Sequence, residues 1–132
     1  MSPRLGILLL LLAGATPASA QQVHRVLLRH PDAETFIFAP DRVTVAAGEV
    51  VVFTVESGGP YVVGFSAEDL EPSDRARLQA ALPEASGPLR GPVLAGPGAS
   101  FRLVLPALPA GRYRFAAVTH AAYRMQGELR VR

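Results

Sequence analysis

Tyr113–Arg132, YRFAAVTHAAYRMQGELRVR, is the stretch from which the rest of the chain can be read. Tyr113 and Phe115 alternate with Arg114, and Leu129 and Val131 alternate with Arg130 and Arg132, the period of two of half-buried strands. The pattern predicts a strand at Tyr113–Val118, a loop carrying His120 and Met125, and a closing strand at Gly127–Arg132. A hairpin that presents an imidazole and a thioether between two buried strands has the layout of a metal site. The ligand that should come first is missing, because the chain contains no cysteine.

Working outward, the first residues set the compartment. Met1–Arg4 carries one positive charge, Leu5–Leu12 is an apolar run, and Ala18-Ser19-Ala20 is a small-residue cleavage signal before Gln21. The run is shorter than the roughly 20 residues that span a bilayer. It predicts a signal peptide at 1–20, a single domain at 21–132, export to the periplasm or beyond, and no membrane span after removal of the leader. Export permits disulfides, but none can form here, so packing alone must hold the domain. All 13 basic residues are arginines, set against 11 acids, and the near balance offers no footprint for nucleic acid.

The domain reads as short alternating stretches divided by Gly and Pro, which indicates an all-β sandwich or barrel. Strands are expected at Val23–Arg29, around Phe36–Phe38, and at Arg42–Ala46, Val50–Val55 and Tyr61–Phe65, with a short one at Val93–Ala95 and another around Phe101–Leu105. One helix interrupts them, capped by Glu71 or Ser73 with Pro72 at its start. Leu78, Ala81 and Leu82 form its apolar side, and Asp74, Arg75 and Arg77 are expected to face solvent.

Several of these segments together resemble a known family. Phe38-Ala39-Pro40 is followed by Val43–Glu49 (VTVAAGE), then Val52-Phe53 and Ser57-Gly58-Gly59-Pro60. Leu108–Tyr113 (LPAGRY) and His120-Ala121-Ala122, with Met125 and Gly127 following, complete the set. In order and spacing they are similar to the cupredoxins, specifically the plastocyanin/azurin-like blue copper domains. The resemblance implies a cupredoxin-like Greek-key β-sandwich with one short helix inserted, and a metal position between the loop near Pro60 and the last hairpin. A blue copper site takes two imidazoles, a thiolate and a weak axial thioether. The resemblance puts His120 and Met125 at the second imidazole and the thioether. Tyr61 stands at the first imidazole and Ala117 at the thiolate.

Neither replacement restores a ligand. Alanine has no donor, and a phenol titrating near 10 is a poor copper ligand at neutral pH. The resulting expectation is a secreted cupredoxin-like domain with no resident cofactor, acting as a binding or interaction module. Its contact patch is the apolar end formed by Pro60, Val62, Val118, Ala121 and Ala122. The alternative is a copper-handling protein that takes copper weakly through His120 and Met125, which suit Cu(I).

Two further patterns carry competing readings. His30, Asp32 and Glu34 alternate and have the chemistry to collect a hard cation, although an exposed polar loop gives the same pattern. If the last hairpin pairs with Arg114 opposite Arg132 and Ala116 opposite Arg130, then Arg112, Arg114, Arg130 and Arg132 form a basic stripe on the outer face. Like charges directly opposite are mildly destabilising. We read the stripe as a solvated edge, with a docking face for an acidic partner or anionic surface as the sharper reading. Catalysis finds little support: no Ser–His–acid spacing is readable, and Gly58-Gly59-Pro60 leads into a strand and not into a phosphate-binding helix. We expect no enzyme.

Overall fold

The computed structural model describes residues 21–132; the expected leader at 1–20 lies outside the described residues. Eight strands form two four-stranded sheets. They are β1 (Val23–Asp32), β2 (Thr35–Ala39), β3 (Arg42–Val45), β4 (Val50–Val55), β5 (Val63–Phe65), β6 (Ser100–Val104), β7 (Gly111–Ala117) and β8 (Gln126–Val131). The first sheet runs β2-β1-β4-β6 and the second β3-β8-β7-β5. The β1–β4 and β3–β8 pairs are parallel and the others antiparallel. The β1–β2 and β7–β8 pairs are hairpins within one sheet, while each step from β2 to β7 crosses to the other sheet, giving a β-sandwich.

The apolar run of β4 follows from its place. It lies between β1 and β6, and five of its six residues are buried, so both of its faces must be apolar. Its inward side chains Val51, Phe53 and Val55 meet Val26, Leu28, Phe101 and Leu103 of the same sheet and Tyr113, Phe115, Leu129 and Val131 of the other in one core. Phe115 packs edge-on against Phe38 and Phe53. Its ring also fixes the residue opposite: a Cβ on Gly127 would lie 2.5 Å from Phe115 Cζ and 2.8 Å from the Asp41 carbonyl oxygen. Only glycine fits there.

Helix α1 (Pro72–Ala81) has Glu71 at its N-cap position, without a capping bond from the side chain, and Pro72 in its first turn. Leu78 and Leu82 enter the core as expected, and Arg75 and Arg77 are exposed. Asp74 is a correction: it is buried, and Arg77 Nη1 donates to its Oδ1 at 2.6 Å. The first turn of α1 faces the sandwich near Tyr113. Desolvation chiefly, and then the charge of Asp74, push that phenol up from its ordinary value.

Other boundaries also move. The expected strand Tyr61–Phe65 starts only at Val63. Val93–Ala95 is no strand: Leu94 alone bridges to Tyr61 through two backbone bonds of 2.8 Å. The last hairpin keeps its parity but not its register. Arg114 faces Glu128, Arg112 faces Arg130, and Ala116 faces Gln126. The cause is the loop, where residues Val118–Tyr123 wind into 3₁₀ turns. At about 2 Å of rise per residue, against about 3.3 Å in a strand, such turns shorten the span, so β8 begins earlier. Because the displacement is even, the same residues still point inward.

Candidate functional site

At one end of the sandwich, three segments converge: the Ser57–Tyr61 loop, the β1–β2 hairpin, and the Val118–Met125 loop. Val118 N–H donates to the Val62 carbonyl at 2.9 Å, and Ala117 N–H donates to the Met125 carbonyl at 3.0 Å. These bonds close the last loop and tie it to the segment before β5. Arg124 adopts a left-handed conformation (φ 55°) to turn the chain into β8.

Tyr61 is wholly buried, and its ring centroid lies 4.9 Å from that of His120. Its hydroxyl donates to the Ser57 carbonyl at 2.7 Å. Gly58 makes room for that hydroxyl, since a Cβ there would lie 2.5 Å from the phenol oxygen. Burial pushes the phenol above its ordinary value of 10, so it stays neutral and bonded to backbone. Ala117 and Met125 are both buried in the same core as Tyr61.

His120 is half-buried, and burial first, with the proximity of His30 second, lowers its pKa from 6.5. Thr119 Oγ1 lies 2.9 Å from Nδ1 of His120 and 3.2 Å from the Pro60 carbonyl oxygen. A hydroxyl has one proton. With that proton on the Pro60 carbonyl, Nδ1 carries its own hydrogen and donates it to Thr119. Nε2 is then the nitrogen with a free lone pair.

Three residues that the sequence reading did not assign to this site complete it. Phe36 stacks against His30 at 4.1 Å between centroids and lies 4.2 Å from His120 and 4.6 Å from the half-exposed Tyr123. His30 is held by the 3.1 Å contact of its Nδ1 with the Thr35 carbonyl and by its N–H donating to Ser57 Oγ at 2.8 Å. The available signal was the hairpin: a turn at 33–34 brings His30 and Phe36 side by side. His30 is thus an aromatic packing partner here, and Asp32 accepts from the backbone N–H of Glu34. The proposed collection of a hard cation by His30, Asp32 and Glu34 finds no group: among the described residues no three His, Asp or Glu side chains gather at metal-binding distance.

The donor set does not fit a type 1 copper ion. Such a site needs a thiolate and two imidazoles, and here Ala117 offers nothing while the Tyr61 phenol is protonated and engaged. Of the expected apolar end, Pro60, Ala121 and Ala122 are exposed and Val118 is half-buried. Val62 corrects the expectation, because it is buried beneath the last loop.

The arginine stripe also changes character. Arg114 grips Asp69 with two side-chain bonds of 2.8 and 3.1 Å and a backbone bond of 2.8 Å. Arg130 pairs with Glu128 at 2.7 Å, and Arg132 with Glu49 at 3.3 Å. The hydrogen bond from Arg114 holds the Asp69 carboxyl below the usual carboxylate value, and that from Arg130 does the same for Glu128. Only Arg112 of the four has no carboxylate within ion-pair distance among the described residues. The expected row of like charges is therefore a mixed ladder.

A sequence model of copper-binding proteins of the plastocyanin/azurin family matches residues 25–132. Among solved structures, a mutant fern plastocyanin is 27% identical with a TM-score of 0.61, covering 82% of this chain and 99% of its own. The oxidised plastocyanin of Dryopteris crassirhizoma is 26% identical at a TM-score of 0.62, with the same coverage. The reduced auracyanin of Roseiflexus castenholzii shares the fold at 20% identity and a TM-score of 0.51, covering 86% of this chain and 99% of its own. No curated protein sequence matches the chain.

Proposed function

The chain belongs to the plastocyanin/azurin family of copper-binding proteins, and from that premise we propose that it is a cupredoxin-fold binding module and not a blue-copper electron carrier. One observation carries the reading: a wholly buried Tyr61, tied to Ser57 and packed on His120, stands where the family resemblance places a copper-binding imidazole. Ala117, buried at the thiolate position, supports it. Side chains therefore do what a metal would otherwise do at this end, linking the loops through packing. The expected leader supports export to the periplasm or beyond, and among the described residues no helix is long and apolar enough to cross a membrane. No enzymatic role is assigned. The contact surface in this reading is the loop end, where exposed Pro60, Ala121, Ala122 and Tyr123 surround the partly exposed His120.

Titration of the purified mature protein with Cu(I) and Cu(II), followed by calorimetry, tests this. The expected result is no stoichiometric binding. One equivalent of copper bound, and lost in His120→Ala, would replace this reading with copper handling through His120 and Met125.

A further inference from the structure

The outer face of the first sheet differs in kind from that of the second. Cross-strand register places Val23, Val50 and Val104 in one row and Arg25, Val52 and Arg102 in the next. With strands roughly 4.8 Å apart, the Arg25 and Arg102 backbones stand about 10 Å apart on either side of Val52. Val50 and Val52 are buried although they point outward, while Val23 and Val104 are 41% and 48% exposed. Ile37, beside Arg29 in the same sheet, is 39% exposed. Among the described residues, three of the five exposed large apolar side chains thus share this face.

Around Val52 its charge is of one sign. No outward residue of β1 from Val23 to Arg29, of β2, of β4 or of β6 is a carboxylate or an aromatic, and Asp32, opposite Thr35, lies at the far end of the face. Arg29 has Glu56 at the strand end. Arg25 and Arg102 have no carboxylate within ion-pair distance among the described residues. Glu84 lines the same cleft as Arg102 without forming an ion pair with it.

We propose that this face docks a partner protein whose surface presents carboxylates beside apolar side chains. Two unneutralised guanidiniums flanking an aliphatic row are complementary to that surface, and such charges steer encounter and fix register. The alternatives fit less well. A second copy docked about Val52 would bring guanidiniums against guanidiniums, and the acids at the far end of the face are engaged, Asp32 by the Glu34 N–H and Glu56 by Arg29. A lipid surface favours interfacial aromatic anchors, and the face has none. The site is separate from the loop end and stands or falls without it.

A short blocked peptide of alternating glutamate and leucine serves as the probe, with ¹⁵N-labelled protein observed by NMR. The expected result is amide shifts confined to β1, β4 and β6, and binding weakened about tenfold in Arg25→Glu/Arg102→Glu, whose dispersed spectrum reports intact folding. A second variant, Val104→Ser, weakens binding without a charge change. No shifts, shifts at the loop end or second sheet, or equal binding by the charge-reversed variant would overturn the proposal. So would co-sedimentation with vesicles of equal phosphatidylglycerol and phosphatidylcholine, or a concentration-dependent dimer that protects the same amides.

Discussion

At position 61 a phenol stands where the family resemblance places an imidazole, and at 117 a methyl group stands where it places a thiolate. In the function proposed above these two residues separate the chain from a blue copper protein, and the difference is testable by addition. Tyr61→His with Ala117→Cys supplies the two missing donors beside His120 and Met125. The double variant is expected to turn intensely blue with Cu(II), while neither single variant does. A colourless double variant would mean that the loop path, and not the donors alone, has departed from copper geometry. Position 127 is constrained on steric grounds instead. Gly127→Ala drives a Cβ into the Phe115 ring and the Asp41 carbonyl oxygen. Overpacking of this kind costs about 1–3 kcal/mol, to be read as a lowered urea midpoint at unchanged slope.

Among the elements, the turn at Ala67–Asp69 is joined to β7 by the Arg114–Asp69 pair. Asp69 has a side chain only 15% exposed and accepts three hydrogen bonds from Arg114. Its carboxyl is depressed chiefly by the side-chain bond from that guanidinium. The sign follows from linkage. The fold binds fewer protons at this group than the unfolded chain does, so its stabilising contribution is full above the unfolded value and is lost as pH falls through the folded one. Asp69→Asn is therefore expected to lower stability near neutrality and to flatten the acid limb of the stability–pH curve. Urea titrations from neutral to acid pH check this, and an unchanged acid limb would remove Asp69 from the account. The same pairings explain why the outer face of the second sheet is a poor acid-seeking surface despite its arginines.

For the whole molecule, the question is whether a ligand is part of the folded state. A ligand that binds only the native form at one hundred times its dissociation constant stabilises by about 2.7 kcal/mol. The aromatic cluster of His30, Phe36, Tyr61, His120 and Tyr123 already joins the three converging segments. The thermal midpoint is accordingly expected to be the same with a slight excess of copper and with chelator. A copper-dependent rise, absent in His120→Ala, would show that metal belongs to the native state.

How much of this was legible beforehand depends on the range of the physics involved. Period-two alternation and Gly/Pro punctuation are local, and they determined an all-β sandwich or barrel, the single inserted helix and the inward parity of Tyr113, Phe115, Leu129 and Val131; the choice of the sandwich came from the family resemblance. Parity survived even though the register did not, because the displacement was even. The missing thiolate was likewise a matter of composition. Register, by contrast, depends on how tightly the last loop winds, and only the tertiary structure decided it. With it came the facing of Arg114 by Glu128; the burial of Asp74 and the neutralisation of Arg114 and Arg132 by acids distant in sequence were decided there too. The packing of Phe36 between His30 and His120, and the placing of Arg25 and Arg102 on either side of Val52, were also settled there, since each depends on which strands become neighbours. The sequence by itself determined which side chains face inward and which copper donors are absent; the tertiary structure decided what fills their place, because that rests on contacts between residues far apart along the chain.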